Sequence, residues 1–559
     1  MINFRNRTLQ TLSLLLLFAL LPGAGVSAQQ GQQQRDRRVV VPATPSATPT
    51  PTPTPTIPAS TTPPTSVAPR SVEELRTRIL GVLAQPQLAS ALAGIKIASL
   101  DTGRTVFEEN ANKFMLPASN MKTYTVAAAL ARLTPDYRFT TSVYAAARPD
   151  ATGAVRGNLI VYGRGDPTFA ARFNDESYFR AIDDLAGRIA AAGVRRVEGD
   201  LIGDESYFTG ASLGTGWEWD DLQWYYGAEV SALSVNDNAI DLTVKAGARA
   251  GDACIVTTSP AASFITVTNS AAGSGQSFVK IVNNATTVAR GVARNLRVYR
   301  PPSQNVIYVS GTLPQDDAGF TGGVAVSQPA MMFVSMLRAA LERRGVTVAG
   351  RTTTVNAEMR TASSLPPLAS LVEIANRQSP PLSIVAAQTM KASQNLYTEL
   401  ILRALGQNVY PNGQGTSAEA GIKVVTDFLR EAGIDSTKVI QADGSGLSRG
   451  NLITADATVR LLTYMSRHAH ANVFRDTMPI AGVDGTLRAR MKGTPAAGNV
   501  RAKTGTLSGV TSLSGYVTSA SGERLVFALL VNNFPRDWDA RVNYTDRIAV
   551  LLASFAGKS

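Results

Sequence analysis

Apolar residues recur at helical spacing over residues 72–83, then alternate with polar ones over 95–100 and 105–109. The first block predicts an amphipathic helix and the next two a pair of strands. Asp101-Thr102-Gly103-Arg104 between them has hairpin chemistry. A second helix is predicted from about 119 to 133, with Pro135 closing its neighbourhood. At the other end, 499–506, 509–518 and 525–532 read as strands. Ser519-Ala520-Ser521-Gly522 forms the turn between the last two, and 541–555 reads as a closing helix. Two strands from the front and three from the back predict one five-stranded antiparallel sheet, flanked by helices and closed by both chain ends: an α+β fold.

The middle is too long to be a loop. Between Lys122 and Ser393 lie 270 residues, far more than a connection needs. Strand-like patches at 159–163, 240–244, 264–267, 278–282 and 306–309 alternate with turn residues, and a helix is predicted over 329–344. The expected organisation is a sheet-bearing domain at 71–143 and 378–559. A mostly β insert would occupy 144–244 and 318–377, with a second nested in it at 245–317.

Composition separates the first seventy residues. Arg5 and Arg7 precede an apolar run at 12–21, and Val26-Ser27-Ala28 offers a small-residue cleavage site. The run is shorter than the ~20 residues of a membrane span, so 1–28 reads as an export signal, with an uncleaved anchor as the rival. No cysteine lies near the cleavage point to carry a lipid. Residues 29–70 are rich in Gln, then Pro and Thr, and hold ten of the 29 prolines. They cannot bury enough apolar surface to fold and form either a tether that holds the domain off a surface or a leader with no role. The protein is expected to be exported, periplasmic or extracytoplasmic. The one cysteine, Cys254, permits no intrachain disulfide, and its apolar neighbours make it a buried structural residue. Net charge is +12, and +10 without Arg5 and Arg7. That suits loose association with an anionic wall or membrane surface; no basic stripe with interleaved aromatics points to nucleic acid.

Three short stretches carry chemistry: Ser119-Asn120-Met121-Lys122, Ser393-Gln394-Asn395 and Lys503-Thr504-Gly505-Thr506. Ser119 and Lys122, three apart at a helix start, share one face. Serine needs a base, and lysine serves as one only when neutral, which burial or a neighbouring cation such as Lys503 promotes. Ser393 is a candidate relay hydroxyl. Gly505, on a strand, would let a substrate backbone approach. Each stretch alone is weak: Ser277 and Lys280 share the first spacing, and Ser234-Val235-Asn236 and Ser303-Gln304-Asn305 the second. Order and context make the set specific. His468 and His470, in a polar stretch, read as solvated, and two histidines without ligand-spaced partners give no metal site. The aromatics Trp217, Trp219, Trp224, Tyr225 and Tyr226 read as domain packing rather than a sugar platform.

With these motifs the chain resembles the penicillin-recognising serine D-Ala-D-Ala peptidases, in particular the low-molecular-mass class C type (peptidase family S13), from about residue 72 to the C-terminus. Supporting stretches are 162–167, 199–204, 443–449 and 485–487, together with the long insert. The resemblance implies a penicillin-binding/β-lactamase-like catalytic domain with nested inserted domains and no cofactor. It implies carboxypeptidase or endopeptidase action on peptidoglycan stem peptides, with β-lactams as covalent inhibitors. Ser119 would be the nucleophile, Lys122 the base, Ser393 the proton relay, and Asn395 a holder of the substrate amide. Lys503, Thr504 and Thr506 would grip the terminal carboxylate, and the N–H groups of Ser119 and Thr506 would bind the oxyanion. Asp204, Arg449 and Phe208 match positions that meet the end of a diaminopimelate-type side chain. A β-lactamase, or a non-catalytic β-lactam-sensing or wall-binding protein, shares the same letters.

Overall fold

The computed structural model describes residues 68–269, 277–411, 413 and 415–559. The export signal (1–28) and residues 29–67 of the spacer lie outside the described residues. Six helices matter for the site: α1 (Val72–Leu83), α2 (Met121–Arg132), α3 (Asn395–Val409), α4 (Ser417–Glu431), α5 (Ala455–Arg467) and α6 (Arg547–Ser554). The expected first and second helices are α1 and α2, the latter preceded by a 3₁₀ turn at Ala118–Asn120. The closing helix is not uniform: Arg541–Asp546 is a π-helix, and α6 follows it.

The predicted sheet is present. Strands β1 (Leu92–Ser99), β2 (Thr105–Glu109), β3 (Arg501–Leu507), β4 (Val510–Thr518) and β5 (Arg524–Asn532) pair antiparallel in the order β2-β1-β5-β4-β3. The β1–β5 ladder sets Leu92 opposite Asn532 and ties the two ends of the chain together. Successive residues of β5 face opposite sides. Leu525, Phe527, Leu529 and Val531 join α1 and α6 in one core, whereas Val526, Ala528 and Leu530 join α2, α3, α4 and α5 in another. Burial on both faces explains why β5 reads as an unbroken apolar run. β3 is left at the sheet edge.

The insert is mostly β, as expected, with helices packed against its strands. Its main sheet runs Thr352–Val355, Leu201–Asp204, Leu159–Tyr162, Thr140–Ala145, Val372–Gln378. Helices Arg180–Ala191 and Pro329–Arg343 pack on it. The first of these escaped the sequence reading, although Ile182, Leu185, Ala186 and Ile189 bury one helical stripe. Three expected boundaries fall inside strands. Those at 143/144 and 377/378 cut Thr140–Ala145 and Val372–Gln378, which pair with each other. That at 244/245 cuts Ala239–Lys245, which pairs with both Ile255–Ser259 and Phe320–Ala325. One apolar cluster, including Val143, Leu201, Ile240, Cys254, Val279, Ile307 and Phe333, runs through both expected inserts.

Gly515 on β4 sits against β3: a Cβ there would lie 2.1 Å from the Arg501 carbonyl oxygen and 2.6 Å from Ala502 Cα. Gly515→Ala is therefore expected to push the edge strand outward and to cost about 1–3 kcal/mol, measurable as a lower urea midpoint.

Candidate active site

The start of α2 stacks Lys122 over Ser119. Lys122 is fully buried, Ser119 half-buried. Lys122 Nζ lies 2.9 Å from Ser119 Oγ, 2.6 Å from Asn395 Oδ1 and 2.6 Å from the Ser445 carbonyl oxygen. An ammonium would donate to all three. Burial lowers the Lys122 pKa to about 7, against the opposing pull of the Asp443 and Glu399 carboxylates. Burial, not the cation expected from Lys503, is thus the main cause. A neutral amine has two N–H groups and one lone pair. Asn395 Oδ1 and the Ser445 carbonyl accept but do not donate, so they take the two N–H groups and the lone pair faces Ser119. Asn395 cannot flip, because its Nδ2 donates to the Tyr226 carbonyl at 2.8 Å.

The second ammonium is equally enclosed. Lys503 is fully buried and donates to Ser393 Oγ and to the Thr504 carbonyl, both at 2.8 Å. Ser393 (φ 56°) and Ala118 (φ 47°), beside the nucleophile, both hold left-handed backbone, the kind of strain that persists where surroundings over-determine it. Ala502 N donates outward to the Pro479 carbonyl rather than to β4. Backbone groups alternate sides along a strand, so the N–H groups of Thr504 and Thr506 point off the same open edge. Thr504 Oγ1 meets Thr486 Oγ1 at 2.7 Å.

Close contacts between the segments depend on glycines. A Cβ on Gly446 (φ +83°) would lie 1.8 Å from the Ala118 carbonyl oxygen. One on Gly505 would meet Ser512 Oγ at 2.2 Å and the Pro117 carbonyl oxygen at 2.5 Å. The bare face of Gly505 is therefore filled by the protein's own nucleophile turn, not left for substrate backbone. That turn is pinned to the sheet by Asn120, whose Nδ2 donates to Ser512 Oγ (2.6 Å) and the Lys503 carbonyl (3.2 Å) and whose Oδ1 accepts from Ser514. Sequence reasoning gave Asn120, Ser512 and Ser514 no role, since nothing local to β4 marks its serines as facing another segment.

The outlying residues divide. Arg449 Nη2 donates to the Ser508 carbonyl just beyond β3 (3.1 Å), and its Nε to Glu218 (3.1 Å). Phe208 is half-buried among Tyr207, Leu400 and Gly165. Asp204 departs from its expected role. It is fully buried, with Oδ2 2.8 Å from Arg360 Nη1, and its Oδ1 accepts the Ser206 N–H. Its charge is already matched inside the protein, which leaves no face for a substrate ammonium. Among the aromatics, Trp224 is core, but Trp219 is 67% exposed. Trp217 Nε1 donates to Asp443 at 2.8 Å. His468 and His470 are half-buried rather than solvated, with rings 5.2 Å apart.

The family model described as D-Ala-D-Ala carboxypeptidase 3 (S13) matches residues 75–555, through the whole insert. The chain belongs to that family. The D-alanyl-D-alanine carboxypeptidase of Actinomadura sp. (strain R39) is 37% identical over 492 residues, which cover 87% of this chain and 85% of the relative. D-alanyl-D-alanine carboxypeptidase DacB of Haemophilus influenzae is 28% identical over 443 residues, covering 79% of this chain and 85% of that one. The crystal structure of penicillin binding protein 4 from Haemophilus influenzae superposes with a TM-score of 0.70 at 24% identity, over 87% of this chain and 99% of that one. It shares the fold of this S13 chain.

The Lys122 shift has a sign that stability reports. An unfolded lysine protonates at about 10.4, the folded Lys122 at about 7. Between these values the unfolded state binds the extra proton, so this group makes stability rise with pH, by about 1.4 kcal/mol per unit. Urea midpoints at about pH 7 and about pH 9 should therefore differ more in the wild type than in Lys122→Met.

Proposed function

We propose that this S13 protein is an exported serine-type D-alanyl-D-alanine carboxypeptidase, with endopeptidase action on crosslinks, working on peptidoglycan stem peptides through an acyl-enzyme on Ser119. The observation that carries the reading is the buried Lys122 amine, with two of its three neighbours acceptors only and the third the Ser119 hydroxyl. Neutral Lys122 takes the Ser119 proton as Oγ attacks the carbonyl of the penultimate D-alanine. The oxyanion lies against the N–H groups of Ser119 and Thr506. Ser393, held by Lys503, passes its hydroxyl proton to the leaving nitrogen as the C–N bond breaks and is reprotonated with the proton that Lys122 took from Ser119, so D-alanine departs and Lys122 is neutral again. Water then attacks the ester as Lys122 takes its proton, and that proton passes to Ser119 Oγ as the acyl group leaves.

Substrate contacts follow from the groups that border the open edge. The second N–H of Asn395 Nδ2 meets a substrate carbonyl. Lys503, Thr504 and Thr506 at the open edge hold the terminal carboxylate, with Gly505 keeping the strand close to Ser119. Arg449 and Phe208 border the place of the third stem-peptide residue, and Asp204 contributes only if Arg360 releases it. A β-lactam presents the same acyl group in a ring, so its leaving group stays tethered and deacylation is slow.

Intact-mass spectrometry tests the reading. Wild-type protein incubated with benzylpenicillin should gain one adduct, mapped to Ser119 and persisting on the time-scale of minutes; Ser119→Ala should gain none. The wild type should release D-alanine from a pentapeptide. An adduct without D-alanine release would favour a sensor, and rapid turnover of the penicillin a β-lactamase. The labelling rate should fall below about pH 7, where Lys122 takes up its proton.

A further inference from the structure

The catalytic amine has a support that none of the three motifs contains. One face of α3 carries Asn395, Glu399 and Arg403 at successive four-residue steps. Asn395 touches Lys122 directly. Glu399, one turn on and almost fully buried, does not donate to any partner; its Oε1 accepts the N–H groups of both Gly444 (2.8 Å) and Ser445 (2.9 Å). The carbonyl that follows, that of Ser445, is the one 2.6 Å from Lys122 Nζ. Arg403 Nη1 donates to Glu399 Oε2 at 3.0 Å and holds the carboxylate from behind.

We propose that Glu399 is a positioning residue of the acylation step: by gripping the Gly444 and Ser445 amides it points the Ser445 carbonyl at Lys122, and so aims the amine lone pair at Ser119. The inference rests on the acyl-enzyme reading above. The two fixed acceptors of the amine are then both set from α3, one through a side chain and one through the two peptides that precede it; the peptide that carries the Ser445 carbonyl has its own N–H, that of Gly446, held by Asp443 at 2.7 Å. The remainder of the 443–449 loop is set by Asp443, whose carboxylate accepts from Gly446 N, Ser448 N, Asn451 Nδ2 and Trp217 Nε1. The charged groups facing this centre are Lys122 from α2, Glu399 and Arg403 from α3, and Asp443 from the loop. Glu399 also acts through charge. It favours the ammonium form of Lys122, while burial and Asp443 raise its own pKa to about 7.

The experiment follows the rate of Ser119 labelling by a fluorescent penicillin against pH in the wild type, Glu399→Gln and Glu399→Asp, with a thermal melt of each. Glu399→Gln should retain a cooperative melt and lose roughly 10- to 100-fold in plateau rate, the scale of a catalytic group displaced by about 1 Å. Its acid limb should move to lower pH by roughly one unit, because a negative charge near the ammonium is gone. Glu399→Asp keeps the charge, so its limb should stay in place while part of the rate is lost. A wild-type rate and limb in Glu399→Gln overturns the proposal. So does a smaller labelled fraction with an unmoved limb, the signature of a merely structural residue. If Glu399→Gln does not fold, E399Q/R403M leaves no charge alone in the interior and carries the same expectations; failure of that variant to fold also overturns the proposal. A wild type that takes no label at all sinks the acyl-enzyme reading itself, and this inference with it, and is recognised because it involves no variant.

Discussion

A lysine amine kept out of water is the constraint on which the rest of the site depends. Desolvation makes Lys122 a base near neutral pH, but a buried amine without partners would cost several kcal/mol. The structure meets both demands with acceptors from three places far apart in sequence: Ser119 on its own helix, Asn395 at the start of α3, and the carbonyl of Ser445. Each must be held in turn. Tyr226, at the edge of the insert, fixes the Asn395 amide, Glu399 grips the peptides before the Ser445 carbonyl, and Asn120 fastens the nucleophile turn to the sheet. The Lys122 amine therefore depends on α2, α3, the 443–449 loop and the insert together.

The sheet supplies the other half. β5 is buried on both faces and anchors the two cores, which leaves β3 rigidly placed at the edge with one side of its backbone open. Gly446, Gly505 and Gly515 mark the places where segments touch too closely for any side chain. Left-handed backbone at Ala118 and Ser393 shows the same crowding from the side of the reacting hydroxyls. The strain at these two residues lies where the three motifs meet and is held by the packed layers around them.

Much of this was legible. The hairpin at the front, the three strands at the back and α1 follow from residue spacing, because a surface helix or a half-buried strand shows its period directly. The three motifs converge as their order suggested. What was missed has two causes. The helix Arg180–Ala191 carries a regular apolar stripe that stood legible in the sequence, whereas the ladder of Thr140–Ala145 with Val372–Gln378 joins segments more than two hundred residues apart. Pairing partners at that distance leave no local mark. The closing helix looked uniform because a π-helical segment of six residues is too short to show a period of its own.

The site shows the same division more sharply. Residue types, their order and their local spacing were enough to place Ser119 beside Lys122, since a helix turn brings i and i+3 together whatever surrounds it. Nothing in the letters distinguishes an aspartate that faces solvent from Asp204, already matched by Arg360, or an internal Trp224 from an exposed Trp219. The same holds for Glu399, an ordinary helix residue until its carboxylate is seen under the Gly444 and Ser445 amides. The residue types proposed as nucleophile and base, and their spacing, were set by the chain alone. Their protonation, their aim and the company each charge keeps were decided by the tertiary structure, because desolvation and hydrogen-bond geometry exist only once distant segments have closed over one another.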